Sequence, residues 1–254
     1  MVNYELITTA PALQACAELL SKEVMIALDT EASSFHRYRE SVCLIQISTR
    51  THTYLIDPLS IPDLAPLRVL LAQKGMEVVI HDADYDLRIL AKHHQIRVEN
   101  VFDTLVAADE GQGGDAAADL GVAADVGGRV LRGRGLLADA DGDHVAHQAP
   151  LPKDMLDYAA GDTSHLIALR DILEAKLKAV GRWGWAEEEF SLLTDAPFNL
   201  PVNDEPAFLR LKGAKMLKPH QLAILREVHG WRESVAEQQD RAAFMILGND
   251  VLLS

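Results

Sequence analysis

The stretch VMIALDTEASSFHRYRESVCLIQIST, residues 24–49, decides how this chain reads. It contains two apolar, β-branched runs, VMIALDTEA (24–32) and SVCLIQIST (41–49), separated by polar residues. Runs of that length and composition predict strands. HTYLIDPL (52–59) follows closely and predicts a third. Three strands in such close succession predict an antiparallel meander. At the end of the first strand stand Asp29 and Glu31. Their spacing of two places both side chains on one face. Two neighbouring carboxylates repel, and each has a raised pKa unless a cation sits between them. Hard oxygen ligands of this kind suit Mg²⁺ or Mn²⁺. A lone pair of acids at a strand end is also an ordinary solvated feature.

Working outward, PDLAPLRVLLAQ (62–73) predicts a helix with leucines at 64, 67, 70 and 71. EVVIHDA (77–83) predicts a strand and DYDLRILAKHHQ (84–95) a helix. VENVFDTLVAA (98–108) opens as a strand and turns helical after Asp103. Pro152 opens one long predicted helix that runs to Gly181. Strands and helices in mixed order predict an α/β fold with a mixed sheet. Residues 194–206, TDAPFNLPVNDEP, hold three prolines without periodicity and predict a linker. Beyond it, two helices are expected, the start of a small all-helical module at 207–254. The domain reading is therefore 1–193, a linker, and that module.

Two more sites carry chemistry. Asp86 follows His81 by five residues at a strand-to-helix junction. By itself it reads equally as an acid favoured by the helix dipole. Tyr158 and Asp162 lie at i and i+4 on the long predicted helix and share a face. An isolated pair there would be plain solvated surface. The combination is more specific. D-x-E on a strand, H-x-x-x-x-D-L at a junction and Y-x-x-x-D on a later helix occur here in that order.

LDTEASSFHRYRESVCLIQIS (28–48), VIHDADYDLRIL (79–90) and YAAGDTSHL (158–166) together resemble the ribonuclease D family, 3′–5′ exonucleases of the DEDD superfamily with the tyrosine variant of the third motif. YLIDPL (54–59) and VFDT (101–104) resemble that family too. GAKMLKPHQLAILREVHGWRESVAEQQDRAAFMILGNDVLL (213–253) resembles the first half of the helical nucleic-acid-binding (HRDC) domain shared by helicases and ribonuclease D.

The resemblance implies a ribonuclease H-like mixed sheet flanked by helices. It implies that Asp29, Glu31, Asp86 and Asp162 hold two divalent metals, Mg²⁺ or Mn²⁺, and that Tyr158 orients the attacking water. Asp29 would bridge the metals, Glu31 and Asp162 complete one shell, and Asp86 hold the other. The implied activity is exonucleolytic removal of nucleoside 5′-monophosphates from RNA 3′ ends, with tRNA precursors the family expectation. A DNA exonuclease and a catalytically impaired RNA-binding relative are the alternatives. The 2′-hydroxyl separates RNA from DNA, and the motifs do not fix its recognition. His81 is a candidate near the scissile end, or a strand-end histidine with a local hydrogen bond. Asp103 reads as a turn or cap. Phe35, Arg37 and Arg39 are candidates for a base stack or phosphate contact, or for a loop over the sheet edge. Lys212 and Lys215 are candidate nucleic-acid contacts.

The segment 111–149 departs from the family pattern. It contains no aromatic residue, Ile, Met, Lys, Ser or Thr. The family implies amphipathic helices and a Lys- and Trp-containing stretch there. Natural divergence and a locally shifted reading frame in a GC-rich gene both leave such a composition, and the nucleotide sequence separates them. DADGDH (139–144) is not a calcium loop, because its glycine is at the fourth position and no Glu stands at the twelfth.

Composition bounds the rest. The 254 residues are 48% hydrophobic and 24% charged, which excludes a disordered, collagen-like or disulfide-framework chain. Two cysteines and an opening MVNYELITTA without a basic, apolar leader lead us to expect a reducing, cytoplasmic compartment. No membrane span and no obligate protein partner are expected. The net charge of −14 weighs against a nucleic-acid binder only as a sum. Ala207–Arg226 carries five Lys or Arg and no acid, and carboxylates that hold metal reverse their local field.

Overall fold

A computed structural model describes residues 3–32, 37–112, 151–195 and 204–253. Phe35 and most of the atypical 111–149 segment lie outside these residues. The six strands are β1 (Tyr4–Ile7), β2 (Met25–Ala32), β3 (Val42–Ser48), β4 (Thr53–Ile56), β5 (Glu77–Ile80) and β6 (Val101–Asp103). They form one sheet in the order β1-β4-β3-β2-β5-β6. The expected meander is present, since β3 runs antiparallel to both β2 and β4. β1 pairs parallel with β4, and β5 parallel with both β2 and β6. β3 alone therefore runs against the other strands, and β2, which carries Asp29 and Glu31, lies beside it with one antiparallel and one parallel neighbour.

Helices cover both faces. On one side lie α1 (Ala10–Leu20), α2 (Ala65–Leu71) and α3 (Asp84–His94). Leu13, Leu20, Leu67, Leu70, Leu87 and Leu90 pack there against Ile26, Leu28, Ile45 and Ile47. On the other side lie α4 (Thr104–Gln112), α5 (Lys153–Ser164), α6 (Leu166–Ala179) and α7 (Trp183–Asp195). Phe102 is the centre of that face beneath Leu166, Leu173 and Phe190, with the Arg170 guanidinium 5.2 Å from its ring centroid. α5 packs Leu156, Ala159 and Ala160 onto Leu44 and Leu55. Strands buried on both faces read as continuous apolar runs, and VCLIQIS in β3 is buried throughout.

Four expectations need correction. The single helix from 152 to 181 is two helices, α5 and α6. His165 leaves helical geometry (φ −108°, ψ −8°), and the Ser164 hydroxyl bonds back to the Gly161 carbonyl at 3.0 Å. Such back-bonding competes with the helix ladder. The strand expected over 77–83 stops at Ile80, because Asp82 adopts φ 58° and turns the chain. β1, α1 and α7 were not anticipated. The C-terminal region has one long helix, α8 (Pro219–Gln239), then two single turns, α9 (Ala243–Ile246) and α10 (Asn249–Leu252). Leu247 and Gly248 are extended between them and break the second expected helix.

Candidate active site

The site forms where the C-terminal end of β2 meets the last two turns of α5. Alternation along β2 sends Asp29 and Glu31 towards α5 and Thr30 towards α3. A register shift at Glu31/Ala32 against β3 adds a residue on the β3 side, and bulges of this kind re-aim side chains. α5 brings Asp162 down onto the pair. Ligand-capable oxygens of Asp29, Glu31 and Asp162 all lie within 4.8 Å of one another. The Ser48 hydroxyl, bonded at 2.7 Å to both Thr53 and Thr163, fastens α5 to the sheet one residue beyond Asp162.

Asp86 arrives from the first turn of α3 and is 3% exposed. It stands beside the three-acid cluster rather than in it. The Thr30 hydroxyl donates to its carboxylate, so the residue between the two motif acids positions the acid of the next motif. Sequence reading treated Thr30 as a spacer. A hydroxyl on the opposite strand face was the only available signal.

The electrostatics follow from crowding. Burial first, and then the charges of Asp29, Asp162 and Asp86, push Glu31 well above the usual carboxylate range. Burial raises Asp162 to about 7. Tyr158 is pushed up to about 12 by burial and by Asp162, Glu31 and Asp29, so its phenol stays protonated at neutral pH. Its hydroxyl is buried without a partner among the described residues. The packed carboxylates of Asp29, Glu31 and Asp162 are an all-oxygen donor set, and such a set fits hard divalent ions.

The β5–α3 turn is built around Asp103. Its carboxylate accepts backbone N–H groups from Asp82 (3.2 Å), Ala83 (2.8 Å), Leu105 (2.7 Å) and Val106 (3.3 Å). That is the cap reading, extended to two turns at once. His81 stands at the end of β5 with Nδ1 2.9 Å from the Thr104 hydroxyl, the local bond foreseen as one of its two readings. Arg37 pairs with Asp240, the residue that ends α8, and Arg39 pairs with Glu237 on α8. Lys215 pairs with Glu205 at 2.9 Å, and Lys212 is exposed. The structure brings neither lysine to the acid cluster.

This sheet, with Asp29, Glu31 and Asp162 gathered between β2 and α5 and Asp86 beside them, presents a candidate metal site. The family model described as 3′–5′ exonuclease matches residues 4–178, and the chain belongs to that family. An HRDC domain model matches residues 221–254. Curated relatives similar to this chain are ribonucleases D. The ribonuclease D of Desulfotalea psychrophila is 30% identical over 100% of this chain and 66% of its own length. That of Nitrobacter hamburgensis is 30% identical over 98% and 63%. The crystal structure of Escherichia coli RNase D, an exoribonuclease involved in structured RNA processing, superposes with a TM-score of 0.74. It is 27% identical, over 99% of this chain and 65% of that one. The chain thus spans about two thirds of the length of each. No helix among the described residues is long and apolar enough to cross a membrane.

Proposed function

We propose that this chain is a metal-dependent 3′–5′ exoribonuclease that releases nucleoside 5′-monophosphates from the 3′ ends of structured RNA, tRNA precursors included. The observation that carries this reading is the convergence of Asp29, Glu31 and Asp162 within 4.8 Å, with Asp86 and Tyr158 beside them. Two divalent cations, Mg²⁺ or Mn²⁺, supply charge stabilisation to the attacking and leaving oxygens when bound. Asp29, Glu31 and Asp162 would hold one such cation, and Asp86, fixed by Thr30, would help hold a second. In the metal-free protein Tyr158 keeps its proton at neutral pH. Its hydroxyl positions the attacking water in line with the bond to be broken. The phosphorus gains that water oxygen, the P–O3′ bond breaks, and the penultimate nucleotide keeps a free 3′-hydroxyl. The cytoplasm is the expected compartment, where the buried thiols of Cys16 and Cys43 remain reduced.

The test is a degradation assay on a 5′-labelled RNA hairpin with a 3′ tail, beside its DNA counterpart. A ladder that shortens from the 3′ end of RNA, with Mg²⁺ or Mn²⁺ but not with chelator, is the expected result. Asp29→Asn should fall to the chelator background. Equal ladders on DNA would withdraw the RNA preference, and no ladder from folded protein would withdraw the enzyme.

A further inference from the structure

Gln46 in the middle of β3 has no account in the packing. It is 0% exposed, and neither its Nε2 nor its Oε1 has a hydrogen-bond partner among the described residues. A carboxamide brings two donors and two acceptor lone pairs. Buried without partners, it carries a desolvation penalty that an apolar side chain of equal length would not. The neighbouring positions on both sides of the strand are filled by Ile45 and Ile47.

Its location ties it to the acids. Gln46 is the register partner of Asp29 across the β2–β3 pair. Direct cross-strand partners share a face, with Cβ atoms about 5 Å apart. On that face its neighbours are Leu44, packed against Ala159 and Ala160, and Ser48, bonded to Thr163. Gln46 therefore lies beside Asp29 on the sheet face that α5 covers. The Tyr158 hydroxyl, one helical turn before Asp162, is likewise buried without a partner. Two unsatisfied polar groups thus border a cluster of crowded carboxylates.

We propose that Gln46 is a positioning residue of this centre, whose carboxamide takes up its partners only when a divalent cation is bound. Nε2 donates to the Asp29 carboxylate and fixes its orientation, and Oε1 accepts from a water held in the centre. The inference rests on the metal-dependent reading above. It assigns Gln46 a cost in the empty protein and a return in the loaded one, which a packing role would not produce.

Gln46→Met keeps length and volume and removes the amide. Mn²⁺ titration, followed by the electron spin resonance of free Mn²⁺, should show affinity about tenfold weaker than in the parent, in the range typical of partners that orient metal ligands. Metal-free thermal denaturation should show the variant at least as stable as the parent. An affinity within about twofold of the parent would overturn the proposal. So would a lower metal-free melting temperature with unchanged affinity. Should the variant not fold, the Mn²⁺-loaded crystal structure of the parent decides, with Nε2 within about 3.2 Å of an Asp29 oxygen expected and a longer separation overturning it. A parent that binds no Mn²⁺ overturns this proposal and the metal-dependent function together. A parent that binds, matched by Gln46→Met but not by Asp29→Asn, overturns this one alone.

Discussion

Asp162 and Glu31 carry a charge problem that pH exposes. Burial lifts Asp162 to about 7, and burial with neighbouring acids lifts Glu31 well above its ordinary range. In an unfolded chain both titrate near 4. Between those values the folded, metal-free protein binds more protons than the unfolded chain. The stability Asp162 contributes is complete below about pH 4 and is lost as pH rises through about 7, and Glu31 acts in the same direction. Divalent cations require the deprotonated carboxylates and release protons on binding. With chelator, the melting temperature should therefore fall between about pH 5 and pH 8, and Mg²⁺ should raise it by more at the upper end. Asp162→Asn should flatten the chelator curve. A metal-free melting temperature that climbs across this range for the parent, and equally for Asp162→Asn, would contradict the assignment. These residues were legible in the sequence because motif spacing reports which side chains share a face. Thr30 and Gln46 were not, since one reads as a spacer and the other as a polar interruption of an apolar strand.

At the scale of elements, Asp103 joins β6 to two helix starts. Its four backbone contacts hold the turn that begins at Asp82 and the first turn of α4. Asp103→Ala should lower the unfolding free energy by about 3 kcal/mol in urea titrations, the penalty for several donors left without acceptors. Asp103→Asn retains one acceptor oxygen and should lose less. Nuclease activity should fall with the alanine variant in proportion to the displacement of Asp86, which α3 carries. A loss under about 0.5 kcal/mol would reduce Asp103 to a surface-like contact. The element reading from sequence succeeded where runs were long or paired with turn signals, as at β2, β3 and α3. β1 is four residues long, with Glu5 and Leu6 exposed, so no periodicity accumulates. α1 is capped by Thr9, whose hydroxyl accepts from Ala12 at 3.4 Å, with Pro11 in its first turn, and those signals were there to be read. The α5–α6 break was hidden because one non-helical residue, His165, leaves the apolar pattern of both helices almost in phase.

For the molecule as a whole, charge is divided between regions. The total is −14, yet the stretch from Ala207 to Arg226 is purely basic among its charged residues. On the proposed function, Lys212 and Lys215 are the candidate phosphate contacts of that stretch. Lys212→Gln with Lys215→Gln should weaken binding of single-stranded RNA and lower the salt slope of the association constant by up to about 0.7 per phosphate contact removed. An unchanged slope would move the contact surface elsewhere. The ion pairs of Arg37 and Arg39 with α8 connect the two regions, but Arg39 is 76% exposed, and pairs of that kind contribute little.

β2 has neighbours on both edges, β3 antiparallel and β5 parallel, and lies between two covered faces. Its amides cannot reach solvent by fraying of an edge or lifting of a single helix. The carboxylates it carries are therefore expected in the last cooperative unit of the molecule to open, which hydrogen exchange of the β2 amides would check. Thermal fluctuations that loosen α9 or α10 leave Asp29 and Glu31 in register. Fluctuations that free α5 take away Asp162 and Tyr158 together, so partial opening empties the centre of one wall while the other stays ordered.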